Sequence, residues 1–268
     1  MGQGPDTLVL LKKREMGKLE NRVIIITGAT SGMGKAMAVL FAKEGAHLVL
    51  NGRDQEKGES LLNEIQKFHS EVCMVYGDIG EAETNRQLVE TAIKKYGKLD
   101  TVVANAGVLG LGDVASISIE KWQRTLDINL NSLFYLTKYA VPHLLKNSFG
   151  VILANASIAA FKAFPQHAAY CTSKAGQVAL IRQLAAEYGP TIRANAICPG
   201  PVDTPLIWDS AKAFEVPEKA VQNAADATLM KRLGEPEDIA ELALFLISEN
   251  SSFITGTTVN IDGGITVN

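Results

Sequence analysis

The stretch Val23-Ile24-Ile25-Ile26-Thr27-Gly28-Ala29-Thr30-Ser31-Gly32-Met33-Gly34 decides how this chain is read. Four consecutive apolar residues with no polar alternation describe a parallel strand buried on both faces. In the segment that follows, Gly28 permits a tight turn and Gly32 lets backbone approach a pyrophosphate. Gly34 lets the next helix lie close to the strand, and that helix turns free N–H groups and a positive dipole end toward the same place. A glycine-rich turn alone is only a turn. Set between the first buried strand and a helix, it points to a dinucleotide, although its spacing differs from the G-x-G-x-x-G fingerprint.

The same alternation continues outward from this stretch. Helix is expected from Gly32 to Glu44, strand at 47–50, and helix from the capping residue Asp54 to about Phe68. Strand at 72–76, helix at 81–96 and strand at 101–104 come next, then helical stretches over about 118–146 and strand at 151–153. Helix at 168–188, strand at 192–197, helix at 236–248 and strand at 258–261 complete the chain. About seven strands flanked by helices imply an α/β fold, a single-domain, doubly wound parallel sheet of the Rossmann-like kind. With 268 residues, 47% of them hydrophobic, the chain can fill such a core. The catalytic domain is expected over residues 16–268, with residues 1–15 an N-terminal extension or a remnant of expression.

A net charge of −3 gives no basic face for nucleic acid. Cys73, Cys171 and Cys198 are few, odd in number and without metal-ligand spacing, which fits reduced thiols in a cytoplasmic protein and no metal site. No apolar run approaches the roughly 18 residues of a membrane span, and the start of the chain lacks the pattern of a signal peptide.

Chemistry enters at Tyr170-Cys171-Thr172-Ser173-Lys174, with Ser157 upstream. On a helix, Tyr170 and Lys174 share a face one turn apart, and a cation beside a phenol lowers its pKa toward a usable acid or base. That spacing is weak alone. Together with Thr27-Gly28-x-x-x-Gly32-x-Gly34, Asn105-Ala106-Gly107, Pro199-Gly200 and Asp262-Gly263-Gly264, it resembles the short-chain dehydrogenase/reductase family, over about residues 18–268. Ala104 departs from the pattern, where members usually carry a second Asn. The resemblance implies an NAD(P)-dependent oxidoreductase that moves a hydride between nicotinamide and a ketone or secondary alcohol of a small molecule or sugar. It makes Tyr170 the proton donor or acceptor, Lys174 the group that tunes the phenol and binds the nicotinamide ribose, and Ser157 the holder of the reacting oxygen. Asn129, in Asp127-Ile128-Asn129-Leu130, matches the fourth catalytic position, which holds a water in the proton path from Lys174.

The resemblance also assigns cofactor contacts. Gly28, Thr30, Ser31, Gly32 and Met33 would surround the phosphates. Asp78, with Ile79 beside it, resembles the acidic residue that meets the adenine amino group; a helix cap is its other reading. Asn105, Ala106 and Gly107 would pass beneath the adenine ribose, and Pro199, Gly200, Val202 and Thr204 would cover the nicotinamide. At the end of the second strand, Gly52 lacks the acid usual in NAD-preferring members and Arg53 is placed for a 2′-phosphate, so NADP(H) is favoured over NAD(H).

Substrate residues are harder to read. The variable lid runs from Pro205 to about Arg232 and holds Leu206, Trp208 and Phe214. Phe161, Phe164 and His167 precede Tyr170, while Leu109 and Leu111 follow the fourth strand. Each is equally readable as core. A 3-oxoacyl-carrier-protein reductase is the alternative reading, discounted because Asn147, Ser148 and Ala186 stand where basic residues are expected. A dinucleotide-sensing binding protein without chemistry is the alternative of another class. Relatives commonly form homotetramers, and Leu133, Phe134, Leu136, Val141, Leu144 and Leu145 exceed what one buried stripe requires.

Overall fold

The computed structural model describes residues 17–268; the extension expected over 1–15 lies outside the described residues. Its strands are β1 (Val23–Ile26), β2 (His47–Gly52), β3 (Val72–Tyr76), β4 (Thr101–Ala104), β5 (Gly150–Asn155), β6 (Ile192–Pro199) and β7 (Thr258–Ile261). They form one sheet in the order β3-β2-β1-β4-β5-β6-β7, and every adjacent pair is parallel. Between them run α1 (Gly32–Lys43), α2 (Gln55–Gln66), α3 (Ala82–Tyr96), α4 (Ile119–Leu126), α5 (Ser132–Leu144), α6 (Ala168–Tyr188), α7 (Pro205–Ala211), α8 (Pro217–Ala227) and α9 (Pro236–Ile247).

Side chains alternate across the sheet, so β1 divides its apolar run between two cores. Ile24 and Ile26 join Met37 and Phe41 of α1 and Leu244 of α9 on one face. Val23 and Ile25 join Leu88 of α3, Leu136 of α5 and Ile181 of α6 on the other. Two covered faces explain why the inner strands carry no polar alternation. Strand order reverses between β1 and β4, and the crevice above their carboxyl ends is where such sheets bind ligands.

Three local differences from the sequence expectation have physical causes. The stretch expected as helices over 118–146 is broken by a π-helical turn, Asp127–Asn131, between α4 and α5. One extra residue per turn displaces carbonyl groups there from the helical ladder. The segment between β6 and α9 holds two helices, α7 and α8, each with Pro at its first position, where the missing N–H costs no intrahelical bond. Finally, α2 stops at Gln66, before the expected Phe68, which is largely exposed. Among the described residues no helix is long and apolar enough to cross a membrane, and no cluster of side chains could hold a metal.

Candidate active site

The turn after β1 is built from close approaches that only glycine allows. A Cβ at Gly34 would stand 2.2 Å from the Gly28 carbonyl oxygen, so α1 can start here only because Gly34 has none. Gly28 and Gly32 have φ of +63° and +49°, the left-handed region in which other residues are strained. Thr27 ties this turn to β4: its hydroxyl accepts from the N–H groups of Asn105 (3.0 Å) and Ala106 (3.1 Å). Asn105 Nδ2 donates back to the carbonyls of Thr27 (2.9 Å) and Gly28 (3.1 Å). Thr204, after β6, closes the other side, with its methyl 3.0 Å from where a Gly32 Cβ would lie. Val202 is buried and Gly200 N donates to the Ile261 carbonyl, so the Pro199–Thr204 loop is anchored on β7. This glycine-lined cradle at the N-terminus of α1 fits a dinucleotide pyrophosphate.

Gly52 and Arg53 end β2 beside the cradle. Arg53 is exposed and, among the described residues, makes no ion pair. Gly52 is buried, and a Cβ there would lie 2.4 Å from the Thr30 methyl. Asp78 does not cap α3, whose N-cap is Glu81. It closes a turn by accepting from Gly80 N (2.9 Å) and pairs with Arg124 of α4. Burial raises its carboxyl, but the hydrogen bonds from Arg124 and Gly80 outweigh burial and hold it below the ordinary value. Ile79 is a buried core residue next to it.

Tyr170 and Lys174 share one buried face of α6. Lys174 Nζ donates to the Asn155 carbonyl at 2.8 Å and lies 5.6 Å from the Tyr170 ring centroid. Asn155 Nδ2 donates to Asn105 Oδ1 (2.9 Å) and to Met33 Sδ (3.4 Å), which joins this pair to the glycine turn. A Cβ at Gly107 would sit 3.6 Å from Lys174 Nζ, so β4 delivers its backbone against the lysine. Ser157 follows β5, and its hydroxyl accepts from Ala159 N at 3.1 Å. Asn129 is fully buried on the π-helical turn. Its Oδ1 accepts from Val108 N (2.8 Å), and its Nδ2 donates to Val108 O and Ser173 Oγ, both at 2.9 Å. The residues read as catalytic from sequence therefore converge on one place from α6, the end of β5 and the π-helical turn.

Burial dominates both titrating groups. It pushes the Tyr170 phenol up to about 12, against a hydrogen bond with Ser157 that lowers it. It pushes the Lys174 ammonium down to about 8, with Cys198 opposing. In the protein alone, then, burial sets the phenol, and the expected lowering by Lys174 is not among the influences on it; the group that lowers it is Ser157.

The chain is similar to known proteins over nearly its whole described length. Residues 28–266 match a family profile described as enoyl-(acyl carrier protein) reductase. An uncharacterized oxidoreductase of Thermotoga maritima is 36% identical, covering 92% of this chain and 98% of the relative. Human dehydrogenase/reductase SDR family member 4 is 35% identical over 92% of this chain and 88% of its own. The chain belongs to the short-chain dehydrogenase/reductase family. It is an oxidoreductase acting on CH–OH and C=O groups. Another relative of this dehydrogenase/reductase, cyclohexanol dehydrogenase of an Acinetobacter species, is 34% identical over 96% of this chain and 99% of its own. The crystal structure of levodione reductase superposes with a TM-score of 0.89 at 30% identity, covering 93% of this chain and 99% of that one.

Around Tyr170 the dehydrogenase/reductase places an apolar lining. Leu109 and Ala159 pack against the tyrosine, with Leu111, Phe164, Cys171 and Leu206 completing the cluster. Leu206 comes from the lid helix α7, so one expected lid residue reaches the site, whereas Trp208 and Phe214 are exposed, as is Phe161. His167 stands edge-on to the Tyr170 ring at 6.2 Å, and its two ring nitrogens are engaged by the Pro165 carbonyl (2.7 Å) and Ser210 Oγ (3.0 Å). Ala159 and Cys171 join this lining without being among the sequence's pocket candidates. The only sequence signal for them is adjacency to Ser157 and Tyr170.

Proposed function

We propose that this enzyme reduces an apolar, ring-sized ketone with NADPH and oxidises the matching secondary alcohol in reverse. The lining of Tyr170 by Leu109, Leu111, Ala159, Phe164 and Leu206 carries this reading, because a polyol would leave its hydroxyls unpaired there. A relative named for cyclohexanol supports it. In reduction, Tyr170 gives its phenolic proton to the carbonyl oxygen while Ser157 holds that oxygen in place. Lys174 orients the cofactor ribose and returns a proton toward Tyr170, with Asn129 on the path behind it. The bound nicotinamide supplies the hydride. Exposed Arg53 and the absence of an acid at Gly52 support NADPH over NADH. The same glycine turn, Asp78-Ile79, Asn105–Gly107 and the Pro199–Thr204 loop are the proposed cofactor contacts.

A second reading, reduction of the ketone of a 3-oxoacyl-carrier thioester, is supported by a Thermotoga maritima relative named 3-oxoacyl-[acyl-carrier-protein] reductase, 34% identical over 93% of this chain. One panel separates the two, with NADPH consumption followed for a ring ketone, an aldohexose and a 3-oxoacyl thioester. The ring ketone is expected to lead the sugar in kcat/KM by at least about 100-fold, since buried polar groups left unpaired discriminate that strongly. A preference for the thioester or the sugar overturns the reading. We also propose a cytoplasmic homotetramer. Leu133, Leu136, Val141 and Leu144 are buried within the chain, but Phe134 and Leu145 on the same stretch are exposed, and β7 is a half-exposed sheet edge.

The direction of reaction is expected to change with pH. Reduction uses the neutral phenol and the Lys174 ammonium, so kcat/KM should fall as pH rises through about 8, where the buried ammonium loses its proton. Oxidation needs an acceptor for the alcohol's proton, which the neutral Lys174 amine supplies through Tyr170 above about 8, so it should rise over the same range. Rates measured in both directions from about pH 6 to about pH 10 test this; parallel profiles contradict it.

A further inference from the structure

Gln177 lies three residues after Lys174 on α6, and both side chains are buried, to 1% and 3% exposure. Its Nε2 donates to the Asn129 carbonyl at 2.5 Å, on the π-helical turn, whose wider spacing departs from the α-helical register. A Cβ at the preceding Gly176 would lie 2.8 Å from Leu130 Cδ2, so α6 presses directly onto that turn. The amide orientation is forced, because a carbonyl accepts only and the flipped amide would set oxygen against oxygen. Gln177 Oε1 is then a buried acceptor with no partner among the described residues. Lys174 has three N–H donors, of which the Asn155 carbonyl takes one. A buried acceptor without a donor and a buried ammonium with spare donors, one helical turn apart, complement each other.

We propose that Gln177 is a positioning residue of the proton path. Its N–H groups fix the Asn129 carbonyl and the π-helical turn, and its Oε1 receives the Lys174 ammonium through a bridging water. The inference rests on the proposed roles of Tyr170, Lys174 and Asn129. Other titratable groups facing this region are Tyr170 and Cys198, with Cys171 and Arg182 beside them and His167 edge-on to Tyr170. Asp127 of the π-helical turn is engaged by Gln123 and Asn131.

Gln177→Met keeps the length and bulk of the side chain and removes the amide. Ketone reduction by the full chain is expected to lose about tenfold in kcat, with KM for ketone and NADPH within about twofold. The descending pH limb should move down by about one unit, because an ammonium that loses an acceptor releases its proton more readily. A lower Tm with unchanged kcat and pH limb would show a merely structural residue and overturn the proposal. Should the Met variant fail to fold, Gln177→Glu serves instead. Its neutral carboxyl can donate to Asn129 and accept from the Lys174 side, so activity should persist at acid pH and fall with a new ionisation. A wild-type profile in that variant overturns the proposal equally. Tyr170→Phe run in parallel separates the levels: if it retains activity, the site reading and this inference both fall. If it is inactive while the Gln177 variants keep the wild-type profile, the role of Gln177 alone is wrong.

Discussion

Tyr170→Phe is expected to lower kcat by about 10²- to 10⁴-fold, the range a positioned acid or base contributes. The substitution keeps the ring that packs with Leu109, Ala159 and Phe164, so the pocket retains its shape. It deletes the one phenol on the face shared with Lys174, and burial holds that phenol as a neutral donor, with a pKa of about 12. NADPH affinity should stay within about twofold, because the cradle is built by the glycine turn, Asn105 and Thr204 rather than by the phenol. Titration of NADPH binding alongside steady-state rates checks both halves. A variant that keeps most of the wild-type rate removes Tyr170 from the chemistry. One that loses cofactor affinity in proportion to rate makes it a binding residue.

The second large effect concerns cofactor choice. Arg53→Ala should weaken NADPH by about 10- to 150-fold and leave NADH nearly unchanged, the size of one charge-assisted hydrogen bond to a 2′-phosphate. The complementary change, an acid at position 52, meets an obstacle that only the structure reveals. Gly52 faces the Thr30 methyl at 2.4 Å from an added Cβ, so Gly52→Asp alone would displace the glycine turn. Thr30→Ala combined with Gly52→Asp and Arg53→Ala removes that clash and is expected to invert the preference toward NADH. Dissociation constants for both cofactors decide the matter. Equal losses for NADPH and NADH in Arg53→Ala would mean that the guanidinium stacks on adenine without reading the phosphate.

How far sequence reading reached depends on whether a residue's partner lies nearby in the chain. β1 and the glycine turn were legible because a strand buried on both faces must be apolar throughout, and Gly28, Gly32 and Gly34 each answer a local backbone demand. The Tyr170–Lys174 face was legible because one helical turn sets it. By contrast, Asp78 pairs with Arg124 and Gln177 with Asn129, 46 and 48 residues away, and no periodicity announces such contacts. The π-helical turn Asp127-Ile128-Asn129-Leu130-Asn131 continues the apolar spacing of the flanking helices, so only the shifted hydrogen-bond register reveals it. The lid helices α7 and α8 are short and open on Pro, which reads as loop until the first turn is seen. Among the apolar candidates, Leu206 and Phe164 reach Tyr170 whereas Phe161, Trp208 and Phe214 do not, a difference made by tertiary direction alone.

The central claim is hydride transfer to an apolar carbonyl held beside Tyr170, and isotope transfer measures it most directly. The wild-type protein is incubated with a ring ketone and NADPH carrying deuterium at both C4 positions, and the alcohol is analysed by mass and NMR. One deuterium is expected on the carbinol carbon and none on the hydroxyl after exchange, with product appearing about 10²- to 10⁴-fold more slowly when Tyr170→Phe replaces the wild type. Alcohol without deuterium on that carbon, or NADPH binding with no turnover of any carbonyl, would contradict it.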